Sequence, residues 1–207
     1  MSDAKIERMK LEINPRVKGL IFDLDGTLSD SLPVHLATWN KVCAYYNCHF
    51  DPEIMVEMTG APTIDFARRV VAENHLQDVD PEEMVKMKQQ IFWDSAHLLK
   101  PVPVVVNLVY KYYRLLPMAV GTGASRRSAM IQLDQLKLTP YFDAVVTADD
   151  VTEHKPKPQT FLKCAELMGV KPADCHVFED GILGMRAAIA AGMSVTDVKP
   201  FIEVVSH

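Results

Sequence analysis

Four short apolar runs limit what this chain can fold into. They are Val17-Lys18-Gly19-Leu20-Ile21-Phe22, Met118-Ala119-Val120, Ala144-Val145-Val146 and His176-Val177-Phe178. Each is shorter than a helix needs, closes in a polar or glycine-containing turn, and leads into a helical pattern. After Ser125, a favourable N-cap residue, Met130, Leu133 and Leu136 recur on one face with Ile131 beside it. A second helix is predicted from Ile182 to Ala191. Strand, turn and helix in repetition build a parallel sheet covered by helices, so the predicted class is α/β.

Residues 32–98 break that rhythm. They hold no buried-strand pattern but show helical stretches over 34–46, 63–74 and 82–98, the last with Met84, Met87, Ile91 and Leu98 near one stripe. Pro33 at the entry and Pro101 and Pro103 at the exit read as linker punctuation. The simplest account is a helical insertion, dividing the chain into a sheet-bearing part, 1–31 with 99–207, and an inserted part, 32–98.

Composition narrows the class of function. A chain of 207 residues, 48% hydrophobic, can bury a core without disulfides or a structural metal. A net charge of −5 with no basic run argues against nucleic acid or anionic lipid as a partner. No run of apolar residues is long enough to span a membrane. Asp3, Lys5, Glu7, Arg8, Lys10 and Glu12 interrupt any signal-peptide apolar region. Cys43, Cys48, Cys164 and Cys175 show neither a CxxC pair nor metal-finger spacing. The expectation is a soluble, cytoplasmic protein; nothing marks a dimer seam, and a monomer is favoured.

Four motifs carry chemistry. In Asp23-Leu24-Asp25-Gly26-Thr27-Leu28, residues two apart at a strand end point to one side. Both carboxylates then face the place where open parallel sheets bind ligands, unless this is only a polar turn. A calcium loop fails, because Leu28 and Val34 stand where it needs Gly and Glu. In Gly121-Thr122-Gly123-Ala124-Ser125, backbone N–H groups at a helix start suit an anion, and the Thr122 hydroxyl adds a donor. Arg126 and Arg127 oppose the dipole of that helix, so they are either solvated or complement an anionic ligand. In His154-Lys155-Pro156-Lys157-Pro158 the prolines fix the backbone after Lys155, and a fixed lysine can neutralise a phosphoryl group; a solvated loop is the alternative. Glu179-Asp180, at another strand end, is either exposed or completes with Asp23 and Asp25 an all-oxygen magnesium site.

In this order the four motifs resemble the haloacid dehalogenase superfamily over residues 17 to 198. The insertion resembles the small helical cap of its beta-phosphoglucomutase-like subfamily. The stretches Met118 to Gly123, Tyr141 to Val146 and Val177 to Asp180 are similar to bacterial fructose-1-phosphate-type phosphatases. The resemblance implies a Rossmann-like core and Mg²⁺-dependent hydrolysis of a small sugar phosphate through an aspartyl-phosphate. It implies Asp23 as nucleophile and Asp25 as general acid and base. Mg²⁺ falls to Asp23, the Asp25 carbonyl and Asp180, with Glu179 as a further ligand, directly or through water. Thr122, Gly123 and Lys155 are implied to hold the phosphoryl oxygens. Two carboxylates about 4 Å apart repel by about 4 kcal/mol at an effective dielectric of 20, so such a site requires a cation.

His35 stands where the subfamily's mutases carry a cap-hinge histidine that contacts substrate and general acid; a helix-face histidine near Trp39 is the alternative. Lys88 is a candidate substrate contact, in competition with Lys86 or with both solvated. The mutases read a second phosphate with an arginine where this chain has Gly60-Ala61-Pro62-Thr63, and no arginine follows until Arg68. That departure weighs against a phosphoglucomutase. A non-catalytic binding protein is the remaining alternative.

Overall fold

The computed structural model describes Leu11 and residues 13–202. The charged positions Asp3, Lys5, Glu7, Arg8, Lys10 and Glu12 lie outside the described residues. Strand β1 (Gly19–Phe22) is buried at every position, as a parallel strand must be when helices cover both faces of its sheet. It starts later than the apolar run, because Lys18 turns outward to an exposed ion pair with Asp174. Side chains then alternate between faces. Leu20 and Phe22 belong to a cluster with Val120, Leu133 and Phe178, whereas Ile21 joins Phe161, Val177 and Ala187.

The second and third strands, β2 (Ser29–Asp30) and β3 (Lys100–Pro101), form a separate antiparallel pair. The main sheet adds β4 (Met118–Gly121), β5 (Ala144–Val146), β6 (Cys175–Glu179) and β7 (Ser194–Asp197). Its order is β5-β4-β1-β6-β7, and every pairing is parallel. The chain therefore winds outward from β1 in both directions, which opens a crevice beyond the carboxyl end of β1. Of these strands, β7 has no apolar run to reveal it: Ser194-Val195-Thr196-Asp197 is a partly exposed edge strand.

Residues 32–98 add no strand to this sheet. They form helices α1 (Leu32–Tyr45), α2 (Pro52–Glu57), α3 (Thr63–Glu73) and α4 (Pro81–Asp94). Asp51 and Asp80 cap α2 and α4 by accepting from Glu53 and Glu82 N–H groups at 2.9 Å, each with proline in the first turn. These helices enclose a core of their own around Trp39, Phe50, Phe66 and Met84.

Two sequence expectations need correction here. Helix 82–98 ends at Asp94 and continues as a short 3₁₀ turn, so Leu98 leaves the stripe and is 56% exposed. The prolines expected as linkers sit in ordered elements. Pro33 occupies the first turn of α1, where a missing N–H costs nothing. Pro101 pairs with Ser29, so the two crossings into and out of the insertion are bonded side by side.

The remaining helices cover the sheet. On one face α5 (Pro103–Tyr112) and α6 (Arg126–Gln135) supply Val105, Val109, Ala129 and Leu133; on the other α7 (Gln159–Met168) and α8 (Ile182–Ala190) supply Phe161, Cys164 and Ala187. A one-turn helix, α9 (Lys199–Ile202), follows β7. All four cysteines are free. Among the described residues no helix is long and apolar enough to cross a membrane.

Phe22, immediately before Asp23, is fully buried and stacks on Phe178 with centroids 5.0 Å apart. Phe22→Ala is expected to lower the unfolding free energy by about 3–5 kcal/mol, measured by urea denaturation. A loss below about 1 kcal/mol would mean that the sheet centre closes around the gap.

Candidate active site

The end of β1 delivers Asp23, whose N–H continues the ladder to Phe178 O at 2.9 Å. The loop after it reverses at Gly26, where φ is +82° and any side chain would collide with the Asp180 carboxylate. The reversal brings Thr27 Oγ1 to donate to Asp180 Oδ1 at 3.1 Å. β6 contributes Glu179 as its last residue, with Asp180 following. Lys155 comes from the loop between β5 and α7, after which the Lys155–Pro156 peptide is cis.

These groups converge beneath Asp23. Lys155 Nζ donates to Asp23 Oδ1 at 2.6 Å and to Glu179 Oε1 at 2.8 Å, with the lysine side chain 1% exposed. The other Glu179 oxygen accepts from the Gly181 N–H. Asp180 Oδ2 is buried and has no hydrogen-bond partner among the described residues. Asp23, Glu179 and Asp180 offer carboxylate oxygens that all lie within 4.8 Å of one another. An all-oxygen set carrying excess negative charge and an orphaned lone pair fits a hard divalent cation.

Asp25 stands apart from that cluster. Its Oδ1 accepts from Ser31 Oγ at 2.6 Å, His35 Nε2 at 2.8 Å and Gln132 Nε2 at 3.0 Å. His35 Nδ1 accepts in turn from Lys88 Nζ at 2.7 Å, so the two contacts together select the neutral Nε2–H tautomer. The His35 ring also stacks on Phe92, at 4.3 Å between centroids. The helix-face alternative for His35 is thereby set aside, and Lys88 rather than exposed Lys86 is the buried lysine.

After β4, Thr122 N–H donates to Val146 O at 2.9 Å, and Thr122 Oγ1 accepts from Ala124 N–H at 3.0 Å, leaving the hydroxyl proton to donate elsewhere. A side chain at Gly123 would strike Gly60 O, so the turn after β4 and the loop between α2 and α3 meet backbone to backbone. Ser125 caps α6 as expected, its hydroxyl accepting from Ser128 N–H. The two arginines of that first turn face no anion-binding loop. Arg126 pairs with Asp150 at 2.6 Å, and Arg127 lies 3.8 Å over the Trp93 ring, whose indole N–H donates to Ser128 Oγ.

Asp23, Asp25, His35, Lys88, Thr122 and Gly123 line one cavity of about 60 Å³ between the sheet and the insertion. Lys155, Glu179 and Asp180 lie behind Asp23 and do not line it. Thr27, Ser31, Thr59 and Gln132 also belong to this neighbourhood. Sequence reasoning does not single them out, because short polar residues in turns and on helices are ordinary. Gln132 carries one usable clue: it sits beside Leu133 on a helix that must bury a face.

Burial pushes the Asp23 carboxyl well above its ordinary value; Glu179 and Asp180 add to this while Lys155 opposes it. Burial, and then Glu179, pushes Asp180 up to about 7. Asp25 goes the other way. Burial would raise it as well, but His35, Ser31 and Gln132 outweigh burial and hold it far below the usual carboxylate range. Burial disfavours the Lys155 charge, yet Asp23 and Glu179 more than offset that and keep the ammonium protonated. Burial lowers His35, with Lys88 adding to the effect, and burial lowers Lys88 to about 8.

Lys88, 5% exposed, falls from 10.5 to about 8. Holding it charged at neutral pH therefore costs the folded state on the order of 3 kcal/mol, at about 1.4 kcal/mol per pH unit. Between the folded value and that of free lysine, the unfolded chain keeps the proton and the folded chain does not, so the cost fades as pH rises. Lys88→Met is expected to raise Tm over wild type near neutral pH, with the gain shrinking toward about pH 10. Thermal melts of both proteins across that range measure it; a gain independent of pH would show that the Lys88 ammonium is not destabilised.

The haloacid dehalogenase-like hydrolase family profile matches residues 20–198. The chain is 42% identical to the fructose-1-phosphate phosphatase YqaB of Escherichia coli K12, over 89% of this chain and 97% of that one. It is 26% identical to the beta-phosphoglucomutase of Bacillus subtilis 168, over 88% and 83% respectively. Among solved structures, a hydrolase from Pseudomonas syringae superposes with a TM-score of 0.76 at 27% identity, covering 86% of this chain and 83% of that one. With a parallel α/β sheet, carboxylates at the ends of β1 and β6, and a match across nearly its whole described length, the chain belongs to the haloacid dehalogenase-like hydrolase family.

Proposed function

We propose that this protein is a Mg²⁺-dependent phosphatase of small sugar phosphates, with a fructose-1-phosphate-like substrate. The observation that carries the reading is the pairing of two unlike carboxylates on one cavity. Asp23 lies against Lys155 beside the acidic cluster, and Asp25 is held by three neutral donors. Phosphoryl transfer needs an in-line nucleophile, charge neutralisation and a proton for the leaving oxygen. Asp25, which takes up a proton when the substrate's phosphate dianion enters the cavity beside it, delivers that proton to the sugar oxygen as Asp23 attacks phosphorus and the bond to that oxygen breaks. Asp25, now ionised, takes a proton from water as it attacks the aspartyl-phosphate, and phosphate leaves Asp23. Thr122, the Gly123 N–H and Lys155 hold the phosphoryl oxygens, while His35 and Lys88 face the sugar side.

The carboxylates of Asp23 and Asp180 and the carbonyl of Asp25 would hold Mg²⁺, with Glu179 acting through water. When bound, the ion would supply positive charge to offset that of the carboxylates and of the phosphoryl group. Residues 1–31 and 99–207 form the catalytic core in this reading, and residues 32–98 form the cap over it. At about 10–15 Å³ per water, the cavity of about 60 Å³ suits a phosphoryl group; the cap moves outward to admit the sugar. The reading further places the protein in the cytoplasm, with four cysteines kept as thiols.

The E. coli relative's name favours hydrolysis of fructose 1-phosphate; the B. subtilis relative's name makes mutase activity the alternative to test. Thr63, where the mutases use an arginine, lines the cavity and offers no charge to a second phosphate. Free phosphate is therefore expected from sugar monophosphates, without stimulation by a sugar bisphosphate. Following phosphate release and glucose 6-phosphate together, from fructose 1-phosphate and beta-glucose 1-phosphate, tests this. Conversion of beta-glucose 1-phosphate to glucose 6-phosphate with little phosphate released would favour the mutase.

Asp23→Asn, nearly isosteric, is expected to abolish turnover while the circular dichroism spectrum stays that of wild type. Hydrolysis surviving at a substantial fraction would reject Asp23 as nucleophile. EDTA is expected to abolish activity and Mg²⁺ to restore it better than Ca²⁺, which prefers more ligands at about 2.3–2.6 Å. Equal rescue by both ions, or full activity in chelator, would contradict the metal site.

A further inference from the structure

All three donors that hold Asp25 end on the same oxygen, Oδ1. None of these contacts uses Oδ2, and the Asp25 side chain keeps 23% of its surface exposed on the cavity it lines. Two of the donors, Ser31 and His35, stand where the chain enters the insertion. The third, Gln132, comes from the second turn of α6, 107 residues away in sequence. Gln132 is fully buried and does not line the cavity. Its amide orientation is dictated by charge, because the opposite orientation would set Oε1 against a carboxylate oxygen. The consequence is that Oε1 is left buried without a partner among the described residues. A buried amide with one orphaned end is poor for stability, and an apolar side chain of the same length would fill the space at lower cost.

We infer that Gln132 is a positioning residue that fixes the Asp25 carboxylate so that Oδ2 faces the substrate. Oδ1 is saturated with donors, so a proton bound for the leaving oxygen, or taken from water, resides on Oδ2. Gln132 anchors that arrangement from the sheet side, independently of the two donors on the insertion side. The inference rests on the phosphatase reading, in which Asp25 exchanges protons with leaving group and water.

The test compares leaving groups in Gln132→Met. A sugar alkoxide needs a proton as it departs, whereas p-nitrophenolate leaves without one. With fructose 1-phosphate, kcat is expected to fall about 10- to 100-fold, the scale of a misplaced catalytic group, with KM changed less than about 2-fold. With p-nitrophenyl phosphate, the pre-steady-state burst of p-nitrophenolate keeps its wild-type rate, because formation of the aspartyl-phosphate then needs no acid. The subsequent steady-state rate falls, since water still needs Asp25. Tm is expected to hold or rise. An equal fall in burst rate and sugar-phosphate kcat, accompanied by a lower Tm, would assign Gln132 a merely structural role. Unchanged kcat on both substrates would overturn the inference outright. If Gln132→Met does not fold, Gln132→Leu removes the same amide and is read in the same way. Wild-type protein separates the two levels of the reading. If it releases no phosphate from any sugar monophosphate, the proposed substrate class fails, and Gln132 is still judged by the burst and steady-state rates on p-nitrophenyl phosphate.

Discussion

A buried lysine shared by two carboxylates organises the catalytic end of this sheet. Lys155 bonds to Asp23 and Glu179 with both acids almost fully enclosed. Three buried carboxylates, counting Asp180, would repel one another strongly in a medium of low dielectric. One ammonium offsets part of that and leaves excess negative charge facing the unpartnered Asp180 oxygen. The same balance explains the backbone around it. Gly26 lacks a side chain because the Asp180 carboxylate fills that space, and Gly184 has the Glu179 carboxylate against it. Gly26 in the loop after β1 and Gly184 in the first turn of α8 thus let Glu179 and Asp180 pack against Asp23.

Much of this could be read from the chain because each acid or base follows an apolar strand. Strand ends in a parallel sheet converge by topology, so motifs far apart in sequence, around Asp23, Thr122, Lys155 and Asp180, meet with no further information. What could not be read depends on helix packing. Lys86 and Lys88 are two residues apart on α4, and the stripe of Met84, Met87, Ile91 and Leu98 does not choose between them. The face that is buried runs through Met84, Lys88 and Phe92, at four-residue spacing. Phe92 stacks on His35, which is why Lys88 and not Lys86 reaches it. Gln132 was hidden for a related reason. Its neighbours Ile131 and Leu133 mark a buried face but do not say what the amide meets, and only the position of α6 against the β1 loop makes it a partner of Asp25.

The two carboxylates of the first motif end up in opposite electrostatic settings although they are two residues apart. Burial, with Glu179 and Asp180, pushes Asp23 up against the pull of Lys155, whereas His35, Ser31 and Gln132 hold Asp25 down against burial. The division follows from geometry: Asp23 points into the sheet crevice with Lys155 beneath it, whereas Asp25 points toward α1 and α6.

That division also assigns different parts of the chain to different tasks. The groups around Asp23 all come from loops at the sheet's carboxyl edge, which other sequences of the same topology can keep while changing everything above. The groups around Asp25 come from both sides of the cavity, so in the proposed mechanism Asp25 is the point at which the insertion is coupled to the chemistry. Further contacts tie the insertion to the sheet-bearing part, among them the Gly60 backbone against Gly123, Trp93 against Arg127 and Ser128, and Thr59 against Gly181. Two of these fall on the Thr122 turn or the first turn of α6, the helix that carries Gln132. A displacement of the insertion therefore disturbs the donors of Asp25 and the Thr122 turn together, and through Thr59 and Gly60 it also reaches the packing around Lys155 and Gly181.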